Sequence, residues 1–94
     1  MAIRTWACKR TRDLFERDRN SIVPSQVARR ARRKLLLIDA AAEMAFLRVP
    51  PGNNLEKLKG NRAGQRSIRI NDQYRVCFAF RAGDAYKVEI VDYH

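Results

Sequence analysis

The sequence predicts an α+β domain, in which two helices from the N-terminal half cover one face of a small, mainly antiparallel sheet in the order β-α-α-β-β-β. Three observations carry this expectation. From Gly64 to His94 apolar and polar residues alternate in three runs separated by turn residues, the period of half-buried strands. The first half instead carries apolar residues at helical spacing, broken once between Asn20 and Pro24. A length of 94 residues, 46% of them hydrophobic, suits one core and therefore one domain, residues 1–94.

Taken in order, Ile3 to Trp6 alternates briefly, as a short strand does. Thr11, Leu14 and Phe15 recur at helical spacing among charged residues and predict a helix over roughly residues 8 to 18. Pro24 or Ser25 opens the next helix, since a proline is tolerated in a first turn. It extends to about Leu47, with Val27, Ala31, Leu35, Ile38 and Ala42 on one stripe. Arg29, Arg30, Arg32, Arg33 and Lys34 fall off that stripe and read mostly as a solvated face turned away from the sheet. Val49 to Asn54, with two prolines, is a loop. Leu55 to Gly60 is a short segment tied down by two leucines, and Asn61 to Gly64 a turn. Ile68 and Ile70 then alternate with Ser67 and Arg69, and Asn71-Asp72 makes a tight turn of residues that tolerate positive φ. Tyr74, Val76, Phe78 and Phe80 share one face of the next strand, with Arg75, Cys77 and Ala79 on the other. Arg81 to Asp84 closes a second hairpin, and Tyr86, Val88 and Ile90 are expected to point inward. The face away from the helices would then display Arg69 and Arg75 around the small Cys77 and Ala79, a bed for a single nucleic-acid strand.

The charge narrows the partners. Twenty Lys and Arg against ten Asp and Glu leave a net charge of +10, and most of the cations are Arg. Such a balance favours a polyanion, because each cation set on a phosphate releases counterions and the arginine fork matches phosphate geometry. Cys8 and Cys77 are far apart without metal-ligand spacing, so reduced thiols and a cytoplasmic location are expected. No stretch has the length or apolarity of a membrane span, and the opening residues lack the apolar core of a signal peptide. One histidine and no acidic cluster make neither a metal site nor a cofactor expected.

Metal-free RNA cleavage needs a base for the 2′-hydroxyl, an acid for the leaving 5′-oxygen and cations around the phosphorane. His94, the single histidine, titrates near neutrality and suits the acid. Arg75 stands at mid-strand, Lys59 just before the strands, and Asp92 and Tyr93 flank the histidine. Glu56 is either a base or a surface carboxylate pairing with Lys57, Lys59 or Arg62. Lys57, Arg62, Arg66 and Arg69 are candidate RNA contacts. On composition alone, two other classes stay open: a basic domain that binds nucleic acid without cutting it, and a protein-interaction module built on the arginine-rich helix.

Leu58-Lys59-Gly60-Asn61-Arg62, the run from Ser67 to Phe78, Gly83-Asp84-Ala85-Tyr86 and the terminal Asp92-Tyr93-His94 resemble the HigB toxins of the RelE superfamily. The likeness takes in nearly the whole chain, including Pro24 to Arg30 at the opening of the long helix. It implies a ribosome-dependent mRNA endonuclease that cuts codons in the A site, neutralised by a cognate HigA-like antitoxin. Carried over by position, Lys59, Arg75, Asp92, Tyr93 and His94 match residues used there for phosphate contact and acid–base chemistry. Glu56 departs from the pattern, standing where several members have a histidine.

Overall fold

A computed structural model describes residues 1–49 and 51–92. Helix α1 spans Lys9–Arg17 and α2 spans Ser25–Ala40; β1 (Glu56–Lys57), β2 (Gln65–Arg69), β3 (Tyr74–Arg81) and β4 (Asp84–Asp92) follow. The four strands form one antiparallel sheet in the order β1-β2-β3-β4. Ile68, Val76, Phe78, Val88 and Ile90 pack from the sheet against Leu14, Ala31, Leu35 and Ile38 from the helices. The alternation of β3 and the stripe of α2 therefore meet, as their spacing requires. Thr11 is buried with them because its hydroxyl accepts the Ile90 N–H at 3.1 Å, which pins α1 to β4.

The helix α2 stops earlier than its periodicity suggests. Ala41 is already extended (φ −65°, ψ 129°), Ala42 is exposed, and Met44–Leu47 forms a separate 3₁₀ turn. Propensity would continue through the alanines, but burying Leu47 completely requires the chain to fold back. Asn53, itself fully buried, holds that fold by donating to the Leu47 carbonyl at 3.2 Å. Arg32 also leaves the solvated face: its guanidinium donates to the Leu14 and Phe15 carbonyls at 3.1 and 3.2 Å, capping the end of α1.

The N-terminal segment runs parallel to β4 through two isolated bridges, Ile3 to Ala85 and Trp6 to Val88, rather than as a continuous strand. A bulge in β4 accounts for the interruption. Cys77 faces Glu89 but Ala79 faces Tyr86, so β4 carries one extra residue there. Lys87 takes φ 54° at that point, and its N–H donates to the Thr5 hydroxyl at 2.8 Å. The phase of β4 shifts as a result. Ala85 and Val88 are buried, whereas Tyr86, expected inward, leaves the core and lies 4.6 Å from the Arg81 guanidinium.

The two hairpins close by different means. At Asn71-Asp72 neither residue takes a positive φ; instead the Asn71 side-chain oxygen accepts the Gln73 and Tyr74 N–H groups at 2.9 and 2.8 Å. At Ala82-Gly83 both residues are left-handed, φ 52° and 83°, as a type I′ turn demands. Alanine is strained there. Ala82→Asn is expected to raise the unfolding free energy by roughly 0.5–1 kcal/mol, since asparagine tolerates this conformation. Thermal melting of the two proteins checks this, and an unchanged or lower midpoint contradicts it.

Candidate active site

Cross-strand partners share a face of a sheet, so the register sorts the candidate residues. Glu56, Ser67, Cys77 and Glu89 form one row, and Arg69, Arg75 and Val91 the next, all on the face away from the helices. Lys57 pairs with Arg66 and Arg66 with Phe78, which puts both cations on the helix side. Of the four candidate RNA contacts, Arg69 shares a row with Arg75, and Arg62 reaches the same face through its ion pair with Glu89. Arg66 lies instead at 6.0 Å from the Phe80 ring.

The expected open bed is not open at its centre. Cys77 and Ser67 are fully buried and Arg75 is 5% exposed. Long charged side chains pair across this face: Arg62 with Glu89 at 3.1 Å, and Arg75 with Glu56 at 3.6 Å. Arg75 is braced rather than displayed. Its Nε donates to the Ser67 hydroxyl at 2.7 Å, and Nη2 donates to the Asn54 and Ser67 carbonyls at 2.5 and 3.3 Å. Glu56 thus finds its partner in Arg75 and not in Lys57, Lys59 or Arg62. A guanidinium held on three oxygens needs no rearrangement before it meets new negative charge. Burial pushes the Cys77 thiol up, with the Glu89 carboxylate adding to this and Arg62 and Arg75 opposing it, so the sulfur is a packing group.

Lys59 is exposed where the chain leaves β1, and Gly60 with φ 64° turns the backbone directly after it. Among the described residues it pairs with none of the other candidates. Asp92 is the last described residue of β4; it faces Tyr74 across the sheet and accepts the Gln73 amide at 3.0 Å. Tyr93 and His94 lie outside the described residues. Among the described residues, no group of three or more His, Cys, Asp and Glu side chains could hold a metal, and no helix is long and apolar enough to cross a membrane.

Sequence reasoning passed over Ser67 and Asn54, which among the described residues hold Arg75 by hydrogen bonds. Ser67 carried a faint signal, a small polar residue alternating with Ile68, but its meaning depends on the register that sets it opposite Cys77 and beside Arg75.

Residues 5–94 match the model of the RelE-like toxin of the type II toxin–antitoxin system HigB. The chain belongs to this family. The HigB-like toxin is 37% identical over 92 residues to Endoribonuclease HigB of Proteus vulgaris, covering 98% of this chain and 99% of that one. It is also 44% identical over 72 residues to Toxin HigB-1 of Vibrio cholerae serotype O1, 76% of each chain. A third relative, an uncharacterised protein of Haemophilus influenzae, is 38% identical over 63 residues, 67% of this chain and 62% of its own. As the toxin of a type II pair, this HigB-like protein has an antitoxin for its partner.

Proposed function

We propose that this HigB-like toxin is a cytoplasmic endoribonuclease that cuts mRNA in the ribosomal A site and so arrests translation. The observation that carries the reading is the similarity to Endoribonuclease HigB of Proteus vulgaris along 98% of the chain. In this reading the 2′-hydroxyl attacks the adjacent phosphorus as a base takes its proton, and His94 donates a proton to the departing 5′-oxygen. The products are a 2′,3′-cyclic phosphate and a free 5′-hydroxyl. Arg75 steadies the phosphorane, a role supported by its three-point bracing on Ser67 and Asn54. Its Nη1 edge meets Glu56, so an incoming phosphate competes with that carboxylate, and the freed Glu56 is available as base. Lys59 contributes charge from the exposed turn, and Asp92 and Tyr93 orient the histidine.

Lys59 stands on an exposed turn outside the sheet that carries Glu56, Arg75 and Asp92, so positioning by the ribosome supplies much of the rate. Cleavage of mRNA on translating ribosomes is therefore expected to exceed cleavage of the same naked RNA by about 10²-fold or more, the scale of lost orientation. Primer extension on both substrates reads this directly. Equal cleavage of the two would remove the ribosome from the mechanism, and absence of cleavage from both would leave a binding domain.

A further inference from the structure

Four cations meet in a cleft of about 210 Å³ beside the proposed active site, with Arg69 common to both. It is lined by Arg30, Arg33 and Lys34 of α2, by Gly52, and by Arg69 and Ile70 at the end of β2. Three elements distant in sequence converge there, and among the described residues the one carboxylate paired with any of the four cations is Asp72, on Arg69. Arg30 and Arg33 are exposed, so their guanidinium groups are available to a ligand. Lys34 is tied in place, its ammonium donating to the buried Asn53 side chain at 2.5 Å. The crowding has an electrostatic cost. Burial holds the Lys34 ammonium below its ordinary range, and Arg30, Arg33 and Arg69 push it further the same way. An anion in the cleft reverses that repulsion.

We infer that this cleft binds the phosphodiester backbone of RNA, with Arg30 and Arg33 as the gripping residues and Lys34 and Arg69 completing the site. The inference rests on the reading of the chain as a toxin that acts on RNA and names a second contact for that substrate. Arg69 favours RNA over an acidic protein surface, because it lines the cleft and is also the cross-strand neighbour of Arg75. The cleft and the proposed active site thus share the end of the sheet where Tyr74 faces Asp92. Two strands supply such a backbone, the mRNA or the ribosomal RNA, and the chemistry at the cleft is the same.

The test compares Arg30→Gln/Arg33→Gln with Arg17→Gln/Arg19→Gln, which removes equal charge from the exposed end of α1. Binding is measured across salt concentrations to a short 2′-O-methyl single-stranded RNA, which lacks the attacking hydroxyl, and to vacant ribosomes. Loss of two phosphate contacts is expected to lower the salt slope by about 1.4 on the single strand and the affinity by roughly ten-fold, with the control close to wild type. That result on the free strand assigns the cleft to mRNA; the same loss on ribosomes alone assigns it to ribosomal RNA. Equal behaviour of the two variants on both probes overturns the proposal, as does a loss confined to antitoxin binding or to inorganic phosphate. Because binding is read without cleavage, the two readings fail separately. A protein that grips RNA through the cleft but never cuts refutes the endonuclease alone; normal cutting with unaltered binding refutes the cleft alone.

Discussion

A chain ending at Tyr93 is expected to fold, to bind its antitoxin and to lose mRNA cleavage by about 10²-fold or more, the usual contribution of a positioned general acid. His94 is the single histidine of the sequence, and its unperturbed pKa of about 6.5 makes it the side chain suited to give and take protons near neutrality. The strand before it is well anchored: β4 pairs with β3 as far as Asp92, and Gln73 holds the Asp92 carboxylate. Deleting one residue beyond that anchor removes none of the described core, so the melting temperature should stay near that of the full chain. The pH profile adds a second readout. An imidazolium acid makes the rate fall as pH rises through its pKa, and this limb should vanish with the residue. Wild-type cutting by the truncated chain would move proton transfer to Lys59 or Glu56.

Arg75→Ala is expected to damage both stability and cleavage, and the two must be separated. The residue is 5% exposed, and its side chain serves the Ser67 hydroxyl and two carbonyls. Truncation leaves those acceptors without their donor, at a cost of about 2–4 kcal/mol, given about 1–3 for each buried group and partial repair by water. That is a large fraction of the roughly 5–15 kcal/mol that holds a small domain together. The ion pair with Glu56 adds little, since that carboxylate is 42% exposed. Cleavage should be compared at a temperature where the variant is folded, and there it should still be down by about 10²-fold. Arg75→Lys should recover only part, because an ammonium cannot span Ser67 and Asn54 as the planar fork does. Ser67→Ala keeps the guanidinium and removes its Nε acceptor. If Ser67 is a positioning residue, kcat falls while KM changes little. A folded Arg75→Ala protein that cuts at the normal rate would make Arg75 a brace between β1, β2 and β3 and nothing more.

What the sequence determined by itself was local. The period of two after Gly64 and the helical spacing before Ala40 each report which side of one element is apolar, and those sides did face each other. The limits of α1, the turn at Arg81 to Asp84 and the family resemblance at Lys59, Arg75 and Asp92 were legible for the same reason: each is carried by neighbours in sequence. The tertiary structure decided what depends on register and on distant partners. Alternation cannot announce one extra residue, so the bulge at Lys87, which turns Tyr86 out of the core and Ala85 in, had no signature in β4. Glu56 and Lys57 form a strand only because β2 lies beside them, and that pairing sends the two charges to opposite faces, separating Arg66 and Lys57 from Arg75. Burial of Leu47 overrode the helical propensity of the alanines after Ala40. Arg75 read as an open cation because a strand pattern gives a face and not what covers it; Ser67 and Asn54, distant in sequence, cover it. The arginines of α2 divided in the same way. Arg32 caps α1, while Arg30 and Arg33 meet Arg69 at the end of the sheet, because long side chains act where their tips arrive rather than where the helix stripe assigns them.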